Sequence, residues 1–408
     1  MIIKRLHVCV LLSVAIGLLG CKPAAEPFAV EFSNDWDSVV AHASGTTVRF
    51  AMWDGDPMIN AYMHDFVVPR LKEQYGLNLE IVGGQGNLIV SKLMSEIEAG
   101  RTGGDVDLMW INGETFYQLR QLNALHGPFT ERLPNDAFVD WDNPMISIDF
   151  QEPVDGYECP WGNVQLAIIY HGGRVTTPPK SMAELEAWVK TNPGRFTFDC
   201  GFTGMTFLKS LLYEIAGSSD AFNGAFDEAK YLETSAKLWS YLNEIKPYLW
   251  RRGETFPEGV AQLHQLLMNN EVDFSMSNND GEVDNKAIKG VIPDDSRAYV
   301  LTAGTIQNSH YLGIPINASN LAGAYVLANF LISPEAQFEK SLPLVWGDGS
   351  VLKIESLPEE WRQRFLSIEG RTRVASREVL SKAALMEPAP ELMVRLTNDF
   401  RTKMIEGR

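Results

Sequence analysis

Gly103-Gly104-Asp105-Val106-Asp107-Leu108-Met109-Trp110-Ile111-Asn112-Gly113-Glu114 decides how this chain is read. Val106, Leu108 and Ile111 lie in a short apolar run that Asn112-Gly113 closes. Such a run predicts a strand buried in a parallel sheet, followed by a tight turn. In open α/β sheets ligands bind beyond the carboxyl ends of the strands. Here that end carries Trp110, Asn112 and Glu114, a flat face, an amide and a charge.

Two earlier segments repeat the pattern. Val48–Met52 predicts a strand with Trp53-Asp54-Gly55-Asp56-Pro57 as its exit loop. Ile59, Tyr62, Met63, Phe66, Val67 and Leu71 then recur at helical spacing, with Pro69 a candidate kink and Gly76 near the end. Leu79–Val82 predicts a second strand, Gly83–Asn87 its loop, and Asn87 the cap of a helix that Gly100 ends. Strand, loop and helix in repetition mean parallel strands joined by right-handed crossovers, hence an α/β lobe. The loop at 83–87 lacks the third glycine of a dinucleotide fingerprint and reads most simply as a tight turn, although its backbone could also cradle a polar group.

At Gly156–Gly162 the chain is expected to cross into a second lobe, with Pro160 stiffening the passage. There Ser181 and Glu184 form a capping box, Phe196–Phe198 a strand, and Phe202-Thr203-Gly204 the start of a helix. Val272–Met276 predicts a further strand with Ser277–Gly281 as its loop. Ala298–Ile306 and Ser309–Ile314 read as strands returning to the first lobe, and Ser319–Ile332 as a strong helix.

Composition agrees with two lobes. The chain has 408 residues, 45% hydrophobic and 21% charged, too long for one ordinary core. A formal net charge of −17 argues against nucleic acid or an anionic membrane surface as partner. Lys4 and Arg5 followed by an uncharged run, Val8–Leu19, make residues 1–20 an export signal. Leu18-Leu19-Gly20-Cys21 resembles the lipobox of bacterial lipoproteins, which implies lipidation of Cys21 and a tether over 21–44. With Cys9 removed and Cys21 lipidated, Cys159 and Cys200 remain in an oxidising compartment. They form either a disulfide or two separate buried thiols.

The loops after the strands collect Trp53, Asp54 and Asp56; Gln85; Trp110, Asn112 and Glu114; Trp161; Phe202 and Thr203; Asn279 and Asp280; Trp346 and Asp348. Four of the ten tryptophans stand there, with five acids in the set and no lysine or arginine in the same loops. Aromatic faces with carboxylates suit a small cation or a polyol. Enzymatic signatures are thin: no His-Glu-x-x-His, no Gly-x-Ser-x-Gly and no histidine pair at metal spacing occurs, so neither a metal nor a cofactor is expected. Paired carboxylates such as Asp54 and Asp56 would be what a glycosidase needs, but acidic loops are common.

The lipobox, the strand–Trp–loop at Phe50–Pro57, the run from Gly103, Pro160-Trp161-Gly162, and Ser333-Pro334-Glu335-Ala336 after the strong helix make the chain similar to the extracellular solute-binding proteins of bacterial ABC importers. Within them it resembles the YnjB-type branch, and more remotely the thiamine- and polyamine-binding members. The resemblance implies a two-lobed periplasmic-binding-protein fold (type II-like) with the ligand cleft between lobes. It divides the chain into 45–155 with 285–340 as lobe 1, and 156–284 with 341–408 as lobe 2. It further implies an envelope-held monomer, anchored to the membrane by lipid alone, that binds a small polar or cationic solute, closes on it without chemistry and docks on a permease with its ATPase. The adjacent tyrosines of ferric-ion binders are lacking here. An exported carbohydrate-active enzyme and an envelope scaffold are the rival readings.

Overall fold

The computed structural model describes residues 35–407 apart from Gln85. The export signal, Cys21 and most of the tether lie outside the described residues.

Among the described residues twelve strands are formed: β1 (Thr47–Met52), β2 (Asn78–Gly83), β3 (Leu108–Ile111), β4 (Leu125–His126), β5 (Ile148–Asp149), β6 (Glu152–Pro153), β7 (Cys159–Gln165), β8 (Ala167–Tyr170), β9 (Phe274–Ser277), β10 (Arg297–Tyr299), β11 (Thr305–Pro315) and β12 (Ala384–Leu385). The first sheet runs β12-β11-β3-β1-β2, with β4 and β7 also paired to β11. Its β1 pairs with β2 and β3 in parallel, as the repeated strand–loop–helix pattern predicts, whereas β11 meets β3 and β7 antiparallel. Val48, Phe50, Met52 and Leu108 feed one hydrophobic layer, and Ala51, Met109 and Ile111 the layer on the opposite face. Alternation along each strand thus buries both faces, the usual condition of a parallel sheet.

A second sheet, β10-β8-β9, is antiparallel and carries its own core of Phe196, Leu208, Leu211, Tyr231, Phe274 and Leu396. Phe196–Phe198 belongs to that core but to no strand. The lobes are joined by long strands. β7 leaves the first core at Cys159 and Trp161, and the chain just beyond it enters the second at Leu166; β11 runs back from Ile306 to Leu312 and Ile314. A further passage lies between Phe365, packed on the first core, and Val374, packed with the second lobe.

Core membership draws the division elsewhere than expected. Ile292, Ala298 and Leu301 pack with the second lobe although 285–340 was assigned to the first. Trp346, Val351, Leu352 and Leu357 pack with the first although 341–408 was assigned to the second. The reason is that β11 reaches into both cores, so its flanks belong to different lobes.

Local signals explain the helix starts. Asp56 caps the helix at Pro57, its carboxylate accepting from the Met58 and Ile59 amides, with Pro57 at the first turn where no N–H is required. That helix continues to Tyr75 through a π-turn at Tyr62–Val67 and ends at Gly76, whose φ of 64° favours glycine. Ser181 accepts from the Glu184 amide, the cap expected there, while the Glu184 carboxylate reaches back one residue further, to the Lys180 amide.

Of the two states open to the remaining cysteines, the separate thiols are the one found. Cys159 and Cys200 are both free. Cys159 is wholly buried in the first core and Cys200 packs beside the second, and burial pushes both thiols up in pKa. Unreduced, unfolded protein is therefore expected to be alkylated by iodoacetamide at both positions, with Cys159 refractory in the native state. A cross-linked Cys159–Cys200 peptide in an unreduced digest would contradict this.

Candidate functional site

Between the lobes lies a cavity of about 560 Å³, within the range of ordinary small-molecule sites. Lobe 1 contributes Trp53, Asp56, Trp110, Asn112 and Glu114, and lobe 2 contributes Phe202, Thr203, Asn278, Asn279, Glu282 and Asn285, while Trp346, Asp348 and His310 close the inner end. Ten of the fourteen residues collected from the strand-end loops therefore stand on its wall. Gln85 lies outside the described residues, and three others do not line the cavity.

Trp161 and Asp280 have identifiable structural work. Trp161 is fully buried behind the wall, edge-on to Trp110 at 4.9 Å and to Trp346 at 5.4 Å. Asp280 is buried against Arg371 and Arg377 and accepts from the Gln165 amide. Burial would raise its pKa, but the two guanidiniums hold it below the usual carboxylate range. Asp54 is exposed and stands over Gly83, where a Cβ would come within 3.2 Å of its carboxylate.

The acids that do line the cavity are mostly paired. Asp56 meets Lys286, which also lies 3.2 Å from Glu282. Asp348 takes the Lys340 ammonium at 2.7 Å and the His310 ring at 3.0 Å, within a region closed to solvent. Burial pushes its pKa up, yet His310 and Lys340 bring it down to about 2. The expectation of a loop set without compensating cations thus fails in three dimensions. The cations come from distant elements: Lys286 is 230 residues from Asp56, and Arg371 and Arg377 are 91 and 97 from Asp280.

Glu114 is the exception. It stands in the first turn of the helix Gly113–Gln121, which its charge favours. Gln118 from its own helix donates to it at 3.3 Å. Burial raises its pKa, and the charge of Lys209 opposes that rise. Gly113 has no room for a Cβ against the Phe150 ring, so this helix start is pressed onto the aromatic wall.

His310, Asn285 and Glu282 are functional candidates that sequence reasoning missed. His310 turns to the cavity where the β7–β11 register shifts between His310 and Tyr311, and its ring stacks on Trp346 at 5.7 Å and 10°. The polar run Gln307–His310 inside a strand was the available signal. Among the described residues no group of three or more His, Cys, Asp or Glu is placed to hold a metal ion.

The depressed Asp348 pKa carries a sign. A carboxylate held below its unfolded value adds stability that is present above pH ~4 and lost as pH falls toward 2. The shift to about 2 corresponds to about 2 kcal/mol. Asp348→Asn is expected to cost about 3–5 kcal/mol at pH 7, because Lys340 stays buried. In urea titrations its deficit against wild type should shrink by about 2 kcal/mol between pH 5 and 2. A pH-independent deficit would contradict the pairing.

Comparison with known proteins follows the same lines. Residues 67–363 match the family described as bacterial extracellular solute-binding protein. Protein YnjB of Escherichia coli (strain K12) is 39% identical over 339 residues, covering 82% of this chain and 87% of that protein. An ABC transporter substrate-binding protein from Bradyrhizobium japonicum USDA 110 shares the fold with a TM-score of 0.61 at 15% identity, over 87% of this chain and 99% of its own. A putative spermidine/putrescine ABC transporter from Listeria monocytogenes does so with 0.58 at 16%, over 87% and 98%. By the extent of these matches, and with two α/β lobes around a cavity lined by aromatic rings and a few polar groups, the chain belongs to the bacterial extracellular solute-binding proteins.

Proposed function

We propose that the chain is the solute-capturing component of an ABC importer, held at the bacterial envelope by a lipid on Cys21. The observation that carries this reading is the cavity, walled from both lobes by aromatic rings and polar groups in a member of a solute-binding family. A solute bridging both walls favours the closed arrangement over an open one, because only there are both sets of contacts made. Closure bends the chain at β7, β11 and the passage between Phe365 and Val374, and the closed form docks on the permease. The solute is small and polar or cationic, and it leaves unchanged. The glycosidase reading loses support because Asp56 is engaged by Lys286 and a helix cap while Asp54 is off the wall.

The first test is optical and thermal. A solute found by thermal shift, present at 100 times its Kd, should add about 2.7 kcal/mol of stability. It should also change tryptophan emission, since Trp53, Trp110 and Trp346 line the cavity. Trp110→Ala is expected to weaken binding and reduce the emission change. Unchanged affinity and emission in that variant would count against the site. For the anchor, labelled palmitate should appear on the wild type and not on Cys21→Ser, which should move to the soluble fraction. An unlabelled wild type would remove the lipid from the reading.

A further inference from the structure

Resting on that reading, we propose that the solute is a compact monocation with a neutral hydrogen-bonding end, its positive charge received by Glu114 and its neutral end by Asn279 and Asn285 across the cleft. Four carboxylates line the cavity. Asp56 and Glu282 share Lys286, and Asp348 is held by Lys340 and His310. Glu114 alone among them is contacted by no lysine, arginine or histidine among the described residues. Glu114 is therefore the one lining carboxylate free to receive a ligand's positive charge directly. The rings of Trp53 and Trp110 supply electron-rich faces for that cation and for a flat body, whereas Phe150 and Phe202 already face the Lys209 ammonium at 4.8 and 5.3 Å and Trp346 stacks on His310.

The opposite wall supplies the second half of the recognition. Asn285 is 1% exposed, and its Nδ2 donates to the Trp346 carbonyl at 2.6 Å, so its Oδ1 is an acceptor; that oxygen has no partner. Asn279 accepts from the Gly281 amide through Oδ1 at 2.9 Å, which leaves its Nδ2 a donor without a partner. Backbone groups fix both amide orientations, so neither can be flipped without losing its bond. A neutral acceptor and a neutral donor on one wall complement an amide or a hydroxyl. Neither atom can neutralise a second charge, and buried polar atoms call for partners.

The probes are one flat body in three charge states: 1-methylnicotinamide (cation), nicotinamide (neutral) and nicotinate (anion), titrated calorimetrically into the full chain beside spermidine and fructose 6-phosphate. The cation is expected to bind about tenfold tighter than nicotinamide, and tighter than spermidine, nicotinate or the sugar phosphate. Glu114→Gln should reduce the cation to the affinity of nicotinamide and leave nicotinamide itself unchanged, which a folding defect would not do. Asn279→Ala should weaken cation and neutral probe by the same factor. The proposal is overturned if the cation shows no advantage, if Glu114→Gln preserves it, if spermidine or an anion binds tightest, or if none of the three flat probes binds. Saturable binding of another solute, indifferent to Glu114→Gln, would leave the solute-receptor reading standing while removing this one.

Discussion

The ammonium of Lys286 lies between Asp56 and Glu282, and through it a helix of the second lobe is tied to the loop after β1 in the first. Burying three such charges is costly unless geometry and hydrogen bonds are complete. Here they are well supplied. Asp56 also accepts from two backbone amides, Glu282 accepts from the Ser277 hydroxyl, and His264 lies 3.6 Å from Glu282. Beside this contact the Asn285 amide holds the Trp346 carbonyl, and Gly281 approaches Gly347 so closely that a Cβ would not fit. One short helix, Glu282–Ile288, is therefore seated on lobe 1 at several points, and those points define the inner end of the cavity.

Charge pairing shapes the rest of the wall. Had Asp56, Glu282, Asp348 and Asp280 all faced the cavity unpaired, their mutual repulsion would have dominated any solute. Instead each meets a cation, from distant parts of the chain for Asp56 and Asp280 and from close by for Glu282 and Asp348, and the space between is bounded by rings. Trp110, Trp161, Trp346 and His310 form one cluster with centroids 4.9 to 6.0 Å apart. Trp161 serves as its buried centre, which keeps the other three at fixed angles. Side chains locked in this way lose little freedom when a flat solute joins them.

Local grammar was legible in the sequence and distant pairing was not. The strand–loop–helix units at 48–57 and 103–114 were readable because each depends on neighbours in the chain, as were the Ser181 cap and the helix at 319–332. The loop positions of Trp53, Trp110, Asn112 and Glu114 followed from them, and those residues do line the cavity. The same logic misplaced Asp280 and Trp161. A loop position says that a side chain is near a strand end, but not which way it turns. The roles of Lys286 and of Arg371 with Arg377 rest on contacts 230 and about 90 residues away, invisible to any periodicity. Cysteine chemistry names a compartment, whereas pairing depends on which core each sulfur joins, and Cys159 and Cys200 join different ones.

The contact of Lys286 with Asp56 also bears on how selection by closure operates. It joins the lobes through the protein's own atoms, so part of the free energy of the closed arrangement is independent of the solute. A solute shifts the balance only by the difference between its contacts in the closed and open arrangements. If those own contacts were strong enough to keep the lobes together, any solute would gain affinity but lose its influence on shape. If they were absent, the solute would have to supply the whole cost of bringing the lobes together, and its apparent affinity would fall by the fraction closed. A buried ion pair suits the middle ground, because its attraction is largely offset by the desolvation of its members and its geometry is exacting. It therefore specifies how the lobes meet more than how often. On the proposed reading, the frequency is left to Glu114 on one side and the asparagines on the other.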